Sequence, residues 1–70
     1  MNFGEALEAL KQGLQVQRGG WNGREMYVRL VSGTPELNRH LELFNVQGTF
    51  DTWVPSVSDL LATDWSIVNE

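Results

Sequence analysis

The chain is organised around a glycine-rich stretch, Arg18-Gly19-Gly20-Trp21-Asn22-Gly23-Arg24. Because glycine loses the most backbone freedom on ordering, three glycines in seven residues exclude a regular helix and indicate a tight turn. This turn carries one indole between two guanidinium groups. An aromatic face beside fixed positive charge suits a planar, anionic ligand such as a nucleotide. The alternative is that Trp21 is a core anchor that follows a turn.

Strand patterns lie on both sides of this stretch and continue towards the C-terminus. Alternation of apolar and polar residues predicts five strands, at residues 14–18, 25–31, 39–46, 49–54 and 65–68. Asn22-Gly23 is a strong hairpin signal, and Gln47-Gly48 predicts a second turn. Residues 32–38 contain turn formers and are predicted to be a loop.

A helix is predicted to precede the sheet. Asn2 and Glu5 have the spacing of a capping box, and apolar residues recur at helical spacing after them. Gly13 is the expected residue just past the helix end. These signals predict a helix over residues 3–12, with its apolar side covering one face of the sheet.

A second capping box, Ser56 with Asp59, predicts a short helix over residues 57–62. Its first amide groups form a natural anion site, although capping alone explains both side chains. The order of elements predicts one α+β domain over residues 1–70. We expect an N-terminal helix packed on a small antiparallel sheet, with a short helix before the last strand.

Composition excludes several classes of function. The 70 residues include no cysteine and one histidine, so disulfides and the usual zinc or iron sites are excluded. A chain this short buries only a small core, so we expect self-association to add to its stability. The net charge of -4 argues against binding duplex nucleic acid. No membrane span or signal peptide is visible, so we expect a cytoplasmic protein.

The sequence favours a binding module over an enzyme. No nucleophile or acid lies at a spacing from His40 that would indicate a catalytic pair, so His40 is expected to be a surface or interface residue. The aspartates at 51, 59 and 64 are spread through strand and cap positions, and neither a P-loop nor a dinucleotide-binding pattern occurs. We therefore expect no catalytic residue, no metal and no cofactor.

Two separated blocks of the chain resemble a known family. They are MNFGEALEALKQG (residues 1–13), which runs into RGGWNG (18–23), and WVPSVSDLLATDW (53–65). Both are similar to small phage and prophage proteins, the second type of Thoeris anti-defence protein. The middle of the chain, about residues 29–50, matches only in being strand-like and is short for the family.

The resemblance implies a sponge in the bacterial host cytoplasm. Such proteins bind a cyclic nucleotide immune signal and hold it uncleaved, so the downstream effector stays off. The typical ligand is glycocyclic ADP-ribose, and some members also hold cyclic di- or trinucleotides from a second defence system at a separate site. Members assemble as homotetramers with ligand pockets between subunits.

The resemblance also implies roles for individual residues. Trp21 is expected to stack on the adenine. Asn22 and the Gly23 backbone are expected to shape the turn and offer hydrogen bonds, and Arg18 or Arg24 to face the pyrophosphate.

The second block supplies the remaining expected contacts. Ser56 and the helix amides after it are expected to hold phosphate or ribose hydroxyls, and Asp59 to accept from a ribose hydroxyl or a base amine. Phe3 and Trp53 are candidates for pocket walls or for the core, and Trp65 is expected in the core. Two alternatives to sequestration remain open: an enzyme of the same shape that slowly cleaves its nucleotide, and a protein-binding module that inhibits an immune effector directly.

Overall fold

The structure, a computed structural model, describes residues 1–21, 25–33 and 38–68. Its elements, in chain order, are α1 (Phe3–Lys11), β1 (Val16–Arg18), β2 (Tyr27–Val31), β3 (His40–Phe44), β4 (Phe50–Thr52), α2 (Val57–Leu61) and β5 (Trp65–Ile67). The predicted α+β fold, with a first helix, an antiparallel sheet and a short helix before the last strand, is confirmed.

Both ends of α1 are closed by the residues that the sequence predicts. The Asn2 side chain accepts from the Glu5 amide at 2.9 Å, and the Glu5 carboxylate accepts from the Asn2 amide at 3.0 Å. At the other end Gly13 has φ +89°, a conformation that glycine adopts without strain. The Leu14 amide donates back to the Ala9 carbonyl at 3.1 Å, which completes a Schellman motif.

The sheet has the strand order β4-β3-β2-β1-β5, and every neighbouring pair is antiparallel. Val16 in β1 lies opposite Val28 on one side and Ile67 on the other. The last strand therefore returns to pair with the first, which brings the C-terminal part of the chain beside the glycine-rich stretch.

Each observed strand is shorter than its prediction, although all five exist. The first strand begins at Val16 rather than residue 14 because Leu14 takes part in closing α1. Both helices are also one residue shorter than predicted, since Gln12 is the C-cap of α1 and Ala62, with extended backbone, is the C-cap of α2. The turn at Gln47-Gly48 is confirmed: Gly48 has φ +83°, and its amide donates to the Asn45 carbonyl at 3.0 Å. The predicted hairpin at residues 22–23 and most of the predicted loop lie outside the described residues.

The hydrophobic core lies between α1 and one face of the sheet. Its fully buried members are Ala6, Ala9, Leu10, Val16, Val28 and Trp65. Leu30, Leu41 and Leu43 pack against it from β2 and β3, as the alternation of the sequence predicts. Within the described ranges, no helix has the length and apolar character needed to cross a membrane.

A second aromatic group occupies the opposite face of the sheet. Tyr27, Phe44 and Phe50 come from three adjacent strands, with ring centroids 5.0 to 6.1 Å apart. The Arg29 guanidinium lies 3.5 Å from the Phe50 ring centroid and pairs with Glu42 at 2.8 Å. The face of the sheet opposite α1 is therefore a packed layer of rings and charges.

Candidate functional site

Four rings form the tryptophan cluster, which we define as Phe3, Trp21, Trp53 and Trp65. Trp65 lies at its centre, with centroid distances of 5.5 Å to Phe3, 5.5 Å to Trp21 and 6.0 Å to Trp53. Its side chain is 2% exposed, which confirms the expected core position. The antiparallel pairing of β5 with β1 places Trp65 opposite Arg18, so the cluster lies beside the start of the glycine-rich stretch.

Trp21 lies at the margin of this cluster. Its ring meets Trp65 at an interplanar angle of 81° and Trp53 at 72°, with centroids 5.5 and 6.3 Å away. Such near-perpendicular contacts are a favoured aromatic geometry. The residue packs against the core yet is only partly buried. Trp21 is thus anchored by the core and still has accessible surface, so the two roles considered from the sequence are compatible.

Arg18 connects the cluster to two carboxylates. Its Nε donates to Asp64 Oδ1 and its Nη1 to Asp59 Oδ1, both at 3.0 Å. The hydrogen bonds to Asp64 and Asp59 raise the pKa of Arg18 above its ordinary value. Its bond to Asp64 in turn lowers the pKa of that carboxyl. A pyrophosphate that approached Arg18 would therefore compete with two carboxylates already bound to it.

The cap of α2 uses Ser56 and Asp59, as the sequence predicts. The Ser56 hydroxyl accepts from the Asp59 amide at 3.2 Å, and Asp59 Oδ2 accepts from the Ser56 amide and hydroxyl at 2.9 Å. Burial favours a raised pKa for Asp59, but bonds from Ser56 and Arg18 outweigh it and the pKa is lowered. Asp59 stays a charged acceptor, with one oxygen on the cap and the other on Arg18.

Asp59 also connects this cap to the tryptophan cluster through its backbone. The Trp65 indole Nε1 donates to the Asp59 carbonyl at 3.0 Å. A single residue thus joins the helix cap, the guanidinium and the central ring. The structure thereby brings together six of the residues predicted for the site: Phe3, Arg18, Trp21, Trp53, Ser56 and Asp59. The other three, Asn22, Gly23 and Arg24, lie outside the described residues.

Asp64 belongs to this arrangement, although sequence reasoning placed it only at the end of α2. Its carboxylate accepts from Arg18 Nε at 3.0 Å and from the Gly20 amide at 3.2 Å, and its carbonyl accepts from the Gly19 amide at 3.0 Å. The partners are 44 to 46 residues apart in the chain, so no local spacing could have revealed them.

His40 lies away from this site, on the sheet face opposite α1 and partly exposed. Its Nδ1 contacts the Asn38 carbonyl at 3.1 Å and its Nε2 lies 3.2 Å from Glu42. The bond to Asn38 and then the one to Glu42 raise the pKa of His40. Arg29 first, and His40 second, lower the pKa of Glu42. Among the residues that the structure describes, no group of three histidine or carboxylate side chains is placed to hold a metal ion.

Two comparisons with known proteins bear on this arrangement. The family model for the Thoeris anti-defense 2-like domain matches residues 1–68. A protein of Bacillus phage SP01 named Thoeris anti-defense 2 is 39% identical over 85 aligned positions, which cover 99% of this chain and 96% of the relative. Because 85 positions exceed the 70 residues of this chain, the relative carries residues that this chain lacks. Both matches extend over nearly the whole chain, through the glycine-rich stretch and the α2 cap, and the protein belongs to the Thoeris anti-defense 2-like family.

Proposed function

We propose that this protein sequesters a small cyclic nucleotide immune signal, of the glycocyclic ADP-ribose type, and holds it without cleaving it. Family membership supports a phage anti-defence role. The observation that carries the ligand proposal is the position of Trp21, a ring held edge-on by two other indoles with part of its surface accessible. A base stacked on such a ring contributes about 1–3 kcal/mol.

The surroundings of Trp21 supply polar partners for the rest of such a ligand. Asp59 is a charged acceptor suited to ribose hydroxyls or a base amine, and Arg18 is a donor that could exchange a carboxylate for a phosphate oxygen. Ser56 is a further candidate that the family resemblance suggests, as are Asn22, Gly23 and Arg24, which lie outside the described residues. These groups bind and orient; the proposal assigns none of them a bond-breaking role.

Self-association completes the proposal. Three apolar side chains next to Ser56 are largely exposed: Val54 at 81%, Val57 at 69% and Leu61 at 76%. Exposed apolar residues concentrated in one segment are typical of a surface that contacts another protein. We propose that copies of this chain meet through this segment in a homotetramer, which would place a second subunit beside the candidate site.

Calorimetric titration with glycocyclic ADP-ribose tests the binding proposal. The variant Trp21→Leu keeps apolar volume against the core but removes the flat aromatic face. The stacking energy of about 1–3 kcal/mol predicts that its Kd rises roughly 5- to 150-fold. The matched control is Tyr27→Leu, an aromatic replacement on the opposite sheet face, which should bind as the unmodified protein does. Equal affinity for Trp21→Leu would exclude Trp21 as the stacking surface.

Recovery of the ligand separates sequestration from slow cleavage. After incubation, the complex is heat-denatured and the released nucleotide is examined by mass spectrometry. Intact ligand supports sequestration, whereas a product would establish an enzyme. Native mass spectrometry of the same sample gives the number of chains. If neither heat nor a thermal shift accompanies addition of the nucleotide, direct inhibition of an effector protein becomes the favoured function.

A further inference from the structure

Asp64 bonds to the glycine-rich stretch through every acceptor that it possesses. Oδ1 accepts from Arg18 Nε at 3.0 Å, Oδ2 from the Gly20 amide at 3.2 Å, and the backbone carbonyl from the Gly19 amide at 3.0 Å. Three consecutive residues that lead into Trp21 are therefore bound to one aspartate. The side chain lies on the outside of the fold, with 41% of its surface exposed.

Asp64 is itself held firmly from both sides. The Met1 ammonium group donates to the Thr63 carbonyl at 3.3 Å and to the Trp65 carbonyl at 2.9 Å, and the Trp65 amide donates to the Met1 carbonyl at 3.2 Å. On the other side of the carboxylate, Arg18 is fixed by strand pairing in β1. Asp64 therefore acts as a stationary acceptor against which the glycine-rich stretch is positioned.

The contact between Asp64 and this stretch matters because glycines alone do not fix the backbone conformation before Trp21. Neither Gly19 nor Gly20 has a side chain to pack, both are exposed, and glycine has access to more backbone conformations than any other residue. The direction in which the chain leaves Gly20 fixes where the next indole points. Oδ2 of Asp64 holds the Gly20 amide in one orientation, and the Trp21 amide then closes back on the Arg18 carbonyl at 3.3 Å.

We propose that Asp64 is the positioning residue for Trp21: its carboxylate fixes the peptide before the indole and so holds that ring ready for a ligand. The binding part of this proposal rests on the function proposed above, whereas the positioning part concerns the protein alone. The competing explanation is that Asp64 forms only an exposed ion pair with Arg18. Such pairs contribute little to stability and would not control one ring selectively.

Two variants and one control separate these explanations. Asp64→Ala removes both carboxylate contacts. Asp64→Asn keeps one acceptor oxygen, but its amide nitrogen must face a donor, so Arg18 and Gly20 cannot both be satisfied. The control Asp51→Asn makes the same change in net charge and also alters one exposed side-chain bond, the one from Asn45 at 2.7 Å, in a turn remote from the cluster.

Nuclear magnetic resonance of the protein alone gives the first measurement. The indole N–H signal of Trp21, assigned by its loss in Trp21→Phe, should shift or broaden in Asp64→Ala and less so in Asp64→Asn. Exchange of the Gly20 amide hydrogen with solvent should accelerate in both variants, and more in Asp64→Ala than in Asp64→Asn. Asp51→Asn should change neither. An unmoved Trp21 signal in Asp64→Ala overturns the proposal, as does global unfolding of Asp64→Asn, which would assign the carboxylate to the whole fold.

Titration with glycocyclic ADP-ribose gives the second measurement. If the fraction of Asp64→Ala molecules that hold Trp21 in the binding-ready position falls to about a tenth, the apparent Kd of this variant rises about tenfold. A carboxylate that merely competed for Arg18 would have the opposite effect, because its removal would free the guanidinium and tighten binding. Tighter or equal binding thus overturns the proposal. If the unmodified protein binds no nucleotide, the proposed function fails, but the resonance data still decide the positioning role.

Discussion

Replacement of Trp65 by phenylalanine should destabilise the fold by more than any other single aromatic exchange in the tryptophan cluster. Trp65 is the central ring, 2% exposed, and it contacts the other three rings of the cluster. Phenylalanine keeps an aromatic ring at this position but loses the indole nitrogen and part of the ring volume. The expected loss can therefore be divided into a hydrogen bond and a packing defect.

The hydrogen-bond part comes from the 3.0 Å contact between Trp65 Nε1 and the Asp59 carbonyl. A typical intramolecular hydrogen bond contributes about 0.5–1.5 kcal/mol net. That carbonyl also accepts from the Ala62 amide at 3.4 Å, so it is not left without a donor and no larger penalty applies. Close to 1 kcal/mol is the expected loss from this contact.

The packing part comes from the void beside the smaller ring. Cavities in a core cost about 24 cal/mol per Å³, so a void of a few tens of Å³ costs about 1 kcal/mol. Weaker ring contacts add roughly 0.5 kcal/mol. Together with the hydrogen bond, the expected loss is about 2–3 kcal/mol, which in a domain of this size lowers Tm by roughly 10–20 °C.

Circular dichroism during heating and during urea titration measures this loss directly. Trp53→Phe is the control, because Trp53 is only partly buried and water can fill the space that it leaves; its Tm should fall by less than half as much. A loss below about 1 kcal/mol for Trp65→Phe would contradict the reasoning, since neither the hydrogen bond nor the void could then have the energy assigned to it.

Two further predictions concern His40 and Gly48, which lie outside the candidate site. The contacts of His40 with the Asn38 carbonyl and Glu42 raise the pKa of His40 in the folded protein. The stabilisation that these contacts supply is therefore fully present below the unfolded-state pKa of about 6.5. It is lost as pH rises through the higher folded-state pKa. Tm measured from about pH 6.5 upward should therefore fall more steeply for the unmodified protein than for His40→Gln; parallel curves would show that these contacts are not maintained in solution. Gly48→Ala should destabilise by about 1–2 kcal/mol in urea titration because φ is +83°, and an unchanged midpoint would mean that the turn has another conformation.

Local patterns in the sequence were sufficient for the elements of this fold. Capping boxes and Gly13 act within a few residues, so both helix starts and the end of α1 could be predicted. The strand ends could not, because a strand ends where its partner ends. Leu14 illustrates this: it continues the alternation of β1, yet its amide is used to close the preceding helix.

Long-range pairing explains what the sequence did not reveal about the site. Alternation identifies β5 as a strand but not β1 as its neighbour, and that pairing brings Asp64 to Arg18 and Gly20. Asp59 was predicted as a cap and as a ligand contact, but its bond to Arg18 depends on the same pairing. The candidate site is thus a tertiary feature formed by residues whose local roles are ordinary.

The charges of this network also constrain how an anionic nucleotide could bind. Arg18, Asp59 and Asp64 together carry one positive and two negative charges, and lowered pKa values keep both carboxylates ionised at neutral pH. A pyrophosphate would therefore approach a locally negative surface. Stacking on Trp21 and backbone amide donors can offset part of that repulsion, but a second cation must supply the rest. Arg24, which is expected from the family resemblance to face the pyrophosphate and lies outside the described residues, or a basic residue of a second subunit would meet this requirement, so we expect binding to depend on one of these cations.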